Sequence, residues 1–184
     1  DFLLTLIGTI IIFPVMLVIA ILIKCSSKGP VLFKQERLGY HGKPFNILKF
    51  RTMVVNAEHM GTGIVINEKD DPRITKIGRF LRSISLDELP QIFNVLKGDM
   101  ALVGPRPPVT YHPYNGFENY PDWAKKRFDM RPGMTGLVQI TIRSDVPWDD
   151  RMKIDCEYVD KFSILFDIKI LFGTIKTVIK GEAI

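Results

Sequence analysis

An aspartate and a glutamate stand side by side at positions 87 and 88, within the stretch Arg79 to Pro108, RFLRSISLDELPQIFNVLKGDMALVGPRPP. Arg79 and Arg82 precede them and Arg106 follows. Ser85-Leu86-Asp87-Glu88 has the form of a capping box, Ser-x-x-Glu, ahead of the apolar positions Leu89, Ile92, Phe93 and Leu96. Pro90 is compatible with a first helical turn, where several N–H groups lack partners. In one reading the carboxylates only complement a helix dipole. In the other, the same helix N-terminus keeps Asp87 ionised and attracts phosphate. An ionised carboxylate is a competent nucleophile toward a phosphoryl group once a cation neutralises its repulsion with the substrate. Adjacent hard carboxylates also suit Mg²⁺. The pattern by itself leaves both readings open.

Other residues could serve the same chemistry. Gly104-Pro105-Arg106-Pro107-Pro108 is a stiff corner, and its prolines lower the entropy of holding the Arg106 guanidinium against a phosphate. A rigid turn with an exposed arginine fits the same residues. Lys49 and Arg51 flank Phe50, so an extended chain puts both on one side. Gly61-Thr62-Gly63 is no phosphate loop, because no Gly-Lys-Ser/Thr follows. His41 and His59 are isolated.

The elements that must position these residues begin with Phe2 to Ile23, which carries no charge. About twenty apolar residues match the ~30 Å hydrocarbon core of a bilayer, so a spanning helix, mildly kinked at Pro14, is the expectation from sequence alone. Thr9 is a candidate to satisfy the backbone disturbed there. A signal peptide fits less well, since Lys24-Cys25-Ser26-Ser27-Lys28 follows in place of a cleavage site. The chain begins at Asp1 and not at methionine, which points to a short lead ahead of it. Val31 to Met53 alternates apolar runs with turns, as a hairpin of short strands does. Asn56 to Arg73 reads as a surface loop. From Ile74 the period is helical: Ile77, Phe80, Leu81 and Ile84 share one face, and Arg73, Lys76 and Arg79 another.

Further on, Lys97-Gly98-Asp99 reads as a helix end. Val109 to Phe128 is an irregular aromatic region closing on a short helix, and Arg131 to Gly136 is a turn leading to a strand at Leu137–Ile140. Phe162 to Ile179 carries an apolar stripe ringed by Lys169, Lys176 and Lys180, the form of an interfacial helix.

The 184 residues are most simply one domain. A net charge of +5 favours an anionic partner: nucleic acid, a phosphorylated substrate or an acidic membrane surface. Nucleic acid ranks low, for the chain has no zinc-finger, RNP or helix-turn-helix pattern. Cys25 and Cys156 have no metal-ligand spacing, which suits a reducing compartment.

Taken together, an apolar segment with a central proline, then LKFRTM, SLDELPQ, NVLKGDM, GPRP, RPGMTG and a late Asp-x-x-Tyr resemble the signature of the bacterial sugar transferase family, the monotopic phosphoglycosyl transferases. The likeness extends over nearly the whole chain. It implies an α/β, mostly helical fold: a membrane-anchoring re-entrant hairpin over 1–28, broken at Pro14, then a catalytic domain over 29–184 with amphipathic interfacial helices. The implied setting is the cytoplasmic face of a bacterial inner membrane. The implied reaction moves a sugar 1-phosphate from a UDP-sugar to polyprenyl phosphate, releasing UMP, with Mg²⁺. By resemblance, Asp87 is the nucleophile and Glu88 its acidic partner. Lys49, Arg51, Arg106, Arg131 and Arg143 contact substrate, and Asp155 joins Asp87 and Glu88 at the metal. Where the family has Val-Asn/Ser-Gly-Arg, this chain has Ile140-Thr141-Ile142-Arg143, so the recognition loop differs. Two rivals share the features: a membrane-bound phosphohydrolase using water as acceptor, and a non-catalytic basic membrane adaptor. The sequence sets neither the sugar nor the oligomeric state, homodimer included.

Overall fold

The computed structural model describes residues 1–60, 71–142 and 146–179. The fold is mixed α/β and mainly helical, and its longest element is α1 (Phe2–Ser26). An antiparallel hairpin follows, β1 (Leu32–Leu38) with β2 (Pro44–Phe50), in the register Leu32↔Phe50 to Leu38↔Pro44. Helices α2 (Lys76–Ser83) and α3 (Gln91–Lys97) flank a short 3₁₀ turn, Leu86–Glu88, which carries the carboxylate pair. Gly98 ends α3 in the left-handed conformation. A second, parallel pair joins β3 (Ala101–Val103) to β4 (Gly133–Thr135). The chain between them holds the short α4 (Asp122–Lys125). Beyond β4 come α5 (Leu137–Thr141), α6 (Trp148–Lys161) and α7 (Ile164–Ile179).

The expected break at Pro14 is not seen: α1 runs through it as one helix of 25 residues, about 37 Å at 1.5 Å per residue. One lost hydrogen bond is too little to turn the chain back when both halves pack on the same body. Met16, Ile19 and Ile23 share a buried cluster with Phe50, Leu81 and Ile92. On the earlier half, Thr5 is buried and Gly8 faces Ile92. Both ends meet the domain. Asp1 Oδ2 accepts from the Leu102 amide at 3.3 Å, and Arg51 donates to the carbonyls of Ser27 and Lys28 beyond the last turn. The outward face of α1 is apolar and exposed, with Leu3, Ile10 and Ile11 each about seven-tenths accessible. Thr9 bonds the carbonyl of Thr5 and so does not relieve the disturbance at Ile10.

Three other expectations change. No capping box forms, because Ser85 takes a left-handed backbone (φ 55) and makes no side-chain cap, and α3 starts only at Gln91. Leu137–Ile140 is helical; the strand lies just before it, at β4, and leaves the sheet at Gly136. A four-residue apolar run does not distinguish the two by period. Arg73 does not join a solvated face: it is buried and paired with Asp71 at 2.6 Å. Most of the expected loop over 56–73 lies outside the described residues.

The start of α2 is fixed by Thr75, whose hydroxyl accepts from the Gly78 amide, while Thr75 N and Oγ1 both donate to the Thr52 carbonyl. Gly78 lies so close that a Cβ would stand 1.9 Å from that carbonyl oxygen. Gly78→Ala is therefore expected to cost at least about 1–3 kcal/mol by forcing α2 off the strand end. Gly8→Ala, whose added carbon meets only a side-chain methyl at 3.9 Å, should leave stability unchanged or slightly raised. Urea unfolding of both variants in detergent micelles checks the contrast.

Candidate active site

Alternation along β2 and the hairpin register put Arg37, Phe45, Ile47 and Lys49 on one face. The 3₁₀ turn brings Glu88 to that face, where Lys49 Nζ and Glu88 Oε1 pair at 2.5 Å. Arg106 arrives from the Pro-Arg-Pro corner. Arg37, Ile47, Lys49, Glu88 and Arg106, with Gln91, Pro107, Gly133, Met134 and Gln139, bound an open cleft. Three cations, Arg37, Lys49 and Arg106, thus surround one carboxylate. Burial alone would raise the Glu88 carboxyl, but Lys49, Arg106 and Arg37 outweigh it and hold Glu88 below the usual range. The imbalance of charge suits a polyanionic ligand, above all a diphosphate.

Asp87 stands immediately behind, 9% exposed. It does not form part of the cleft wall as Glu88 does. Burial, with some help from the Glu88 charge, pushes its carboxyl up to about 6, against the pull of Lys49 and Arg82. Asp87 lies on a 3₁₀ turn and not at the N-terminus of α3, and desolvation raises its carboxyl while leaving it mainly ionised at pH 7. The more basic carboxylate is also the better nucleophile once deprotonated. Leu86 and Leu89, on either side of the pair, pack toward the α1 cluster, so the turn separates α1 from the cleft.

The corner bearing Arg106 is held on every side. Arg37 donates to the Pro107 carbonyl at 2.9 Å and Arg127 to the Arg106 carbonyl at 2.6 Å. The Arg106 amide donates to Asp155 Oδ1 at 3.4 Å, and Arg127 pairs with Asp155 Oδ2 at 2.5 Å. Gly104 and Gly133 cross so closely that a Cβ on Gly133 would lie 2.1 Å from the Gly104 nitrogen. Asp155 is thus a buried support for Arg106, with both oxygens engaged. This is the acid that the resemblance assigns to the metal, and its oxygens are taken here by the Arg106 amide and the Arg127 guanidinium.

Of the anticipated residues, Lys49, Glu88 and Arg106 converge, with Asp87 behind them. Arg51 does not join them. It is buried, with its guanidinium on Ser27 Oγ and the carbonyls of Ser27 and Lys28, and so fastens the end of α1. Arg131 is exposed and lines neither this cleft nor the smaller cavity beside Arg127. Arg143 lies outside the described residues. Among the described residues no three His, Cys, Asp or Glu side chains converge as a metal centre. Asp87 and Glu88 are hard oxygen donors of the type Mg²⁺ takes, one or two carboxylates with phosphates completing its shell.

Four residues of this architecture were not anticipated. Arg37 could have been found only from the hairpin register, and Gln91 and Gln139 only from their place on α3 and α5. Arg127 looked like one more charge in the run Lys125-Lys126-Arg127.

The chain belongs to the bacterial sugar transferase family, which residues 1–181 match. It is 45% identical over 163 residues to a galactosyl transferase, CpsE, of Streptococcus agalactiae, covering 83% of this chain and 35% of that protein. It is 44% identical over 167 residues to the undecaprenyl-phosphate galactose phosphotransferase of Salmonella typhimurium, covering 84% and 34%. With the UDP-glucose:undecaprenyl-phosphate glucose-1-phosphate transferase of Caulobacter vibrioides it shares 40% identity over 174 residues, covering 92% and 64%. The chain thus spans about a third of the length of the first two relatives.

The Arg127–Asp155 pair is 2% and 1% exposed at its side chains. Arg127→Ala should destabilise the protein by about 3–5 kcal/mol, because it strands a buried carboxylate. Adding Asp155→Leu to it should recover part of that loss, which a double-mutant cycle of denaturant unfolding measures.

Proposed function

We propose that this chain is a membrane-bound phosphoglycosyl transferase that moves a sugar 1-phosphate from a UDP-sugar to polyprenyl phosphate. The observation that carries the reading is the cleft: three cations around Glu88, with a desolvated Asp87 directly behind. Relatives named for undecaprenyl-phosphate galactose and glucose-1-phosphate transfer support the same reaction class and leave the sugar open.

The reaction divides into two displacements. First, an Asp87 carboxylate oxygen attacks the sugar-linked phosphorus. The bond from that phosphorus to the bridging oxygen breaks, and UMP leaves with the oxygen. Then an oxygen of polyprenyl phosphate attacks the same phosphorus, giving polyprenyl-diphosphate-sugar and returning the Asp87 carboxylate. Arg37, Lys49 and Arg106 hold the phosphoryl oxygens and offset the repulsion between anions. Glu88 anchors Lys49. Mg²⁺, held by Glu88 and Asp87 together with the substrate phosphates, would add charge neutralisation.

Attachment to one membrane face needs no hairpin in α1, since both its ends already meet the same body. Its apolar outer face and the exposed Ile164, Leu165 and Phe172 of α7 form the lipid-facing surface, and the acceptor approaches along it to the turn beneath. In a bacterial cell this surface is the cytoplasmic face of the inner membrane, where nucleotide sugars are made.

Mixing protein with UDP-sugar and no acceptor should release a burst of UMP stoichiometric with enzyme, and leave a phospho-sugar on Asp87 detectable by mass spectrometry. Steady UMP release without acceptor would instead mark a phosphohydrolase, and none with any UDP-sugar would mark an adaptor. The rate of the burst should fall as pH drops through about 6, as Asp87 takes a proton.

The same group makes a stability prediction of definite sign. Its folded carboxyl titrates above the ordinary value of 3.8, so ionising it between about pH 4 and 6 weakens the fold, and the full cost is present above pH 6. Asp87→Asn should therefore abolish the burst yet gain up to about 3 kcal/mol at neutral pH. An active Asp87→Asn enzyme would remove Asp87 as nucleophile; thermal melts across pH test the stability claim.

A further inference from the structure

Gln139 has no role in the steps above, and its side chain is placed as few glutamines are. It stands at the centre of the short α5, against the same cleft as Lys49, Glu88 and Arg106. Its carboxamide oxygen is buried and has no hydrogen-bond partner among the described residues. A buried acceptor without a donor is unfavourable, and such atoms mark places where a ligand completes the bonding.

The surroundings keep the amide in place. Val138 is buried beside it, Thr141 Oγ1 bonds back to the Leu137 carbonyl, and Ile140 packs on Gly173 of α7. Gly136 opens the helix at the crossing with Gly104, where an added Cβ would stand 2.2 Å from the Gly104 carbonyl oxygen and 3.0 Å from the Gln139 oxygen. The absence of a side chain at position 136 is what lets the backbone lie this close to the amide oxygen.

The chemistry of the cleft narrows what the missing partner is. Arg37, Lys49 and Arg106 are donors, matched to phosphate oxygens. The Gln139 oxygen is an acceptor, and a phosphate deprotonated at neutral pH offers it nothing. The donor must come from the part of the ligand attached to the phosphate. Glu88, the carboxylate of the cleft, is already paired with Lys49. In a sugar 1-phosphate the hydroxyl beside the anomeric carbon lies next to the phosphate. The imide N–H of a uracil lies a diphosphate and a ribose away.

We propose that Gln139 accepts a hydrogen bond from a hydroxyl of the transferred sugar, and so is a specificity-determining residue of this site. The proposal rests on the transferase reading. A site built to bond a hydroxyl rejects the analogue that lacks it far more strongly than a merely apolar pocket would.

The test compares wild type with Gln139→Met, which keeps length and removes the acceptor, and Gln139→Glu, which keeps an acceptor oxygen. UMP release is measured with UDP-glucose, UDP-galactose and their 2-deoxy counterparts, together with inhibition by UMP. Wild type should prefer the best hydroxylated donor over its deoxy form by at least tenfold in kcat/KM. Gln139→Met should lose most of that preference with unchanged UMP inhibition, and Gln139→Glu should retain the preference while KM rises. Equal losses on hydroxylated and deoxy donors, a weakened UMP inhibition constant, or a Gln139→Met enzyme with the wild-type preference would each overturn the proposal. Should Gln139→Met fail to fold, the preference retained or lost by Gln139→Glu decides the matter. A wild-type protein that releases no UMP from any donor would instead remove the transferase reading, and this inference with it.

Discussion

The buried pair of Arg127 and Asp155 is the interaction on which the site depends. Neither charge would be tolerated alone in that interior, and together they are tolerated because each also bonds the backbone of Arg106. The carboxylate takes the amide and the guanidinium takes the carbonyl. A flexible cation is thus mounted on a peptide unit gripped at both ends, while Arg37 grips the next carbonyl. The prolines on either side remove the remaining backbone freedom. The preorganisation that an anion site needs is supplied here by charges that never meet the anion.

The opposite wall is organised by contrast of polarity. Leu86 and Leu89 enter the apolar cluster shared with α1, and the residues between them carry the carboxylates. Asp87 therefore lies at a boundary between a helix with an exposed apolar outer face and a cleft lined with cations. Its raised pKa has the same origin, since burial near the apolar cluster disfavours the charge that the cations then partly restore. The arrangement gives up stability to keep a desolvated carboxylate there, a common feature of functional sites. The packing of α1 on this cluster also helps fix the depth at which Asp87 is buried.

Much of this could be read along the chain. The apolar first segment, the hairpin of Val31 to Met53, the helix end at Gly98 and the motif residues Lys49, Glu88 and Arg106 all carry short-range signals: period, turn chemistry or neighbouring prolines. Lys49 and Arg51 show where such signals stop. They share a parity in sequence, yet β2 ends at Phe50, so Lys49 reaches Glu88 while Arg51 turns to the end of α1. Asp155 and Arg127 are 28 residues apart and look like surface charges until the packing of α6 against the chain before β4 brings them together.

The sequence by itself determined the chemical inventory and much of its local frame: an adjacent acidic pair, an arginine between prolines, a long apolar segment, and the family they resemble. Those follow from residue type and from contacts a few positions away. The tertiary structure decided which charges face the cleft, which are supports, that α1 lies along the domain through Pro14, and that Gln139 of the cleft wall carries a buried oxygen without a partner among the described residues. The direction of a long side chain depends on which groups stand near it in space, and pairings such as Arg37 with Pro107, 70 positions apart, leave no periodic trace.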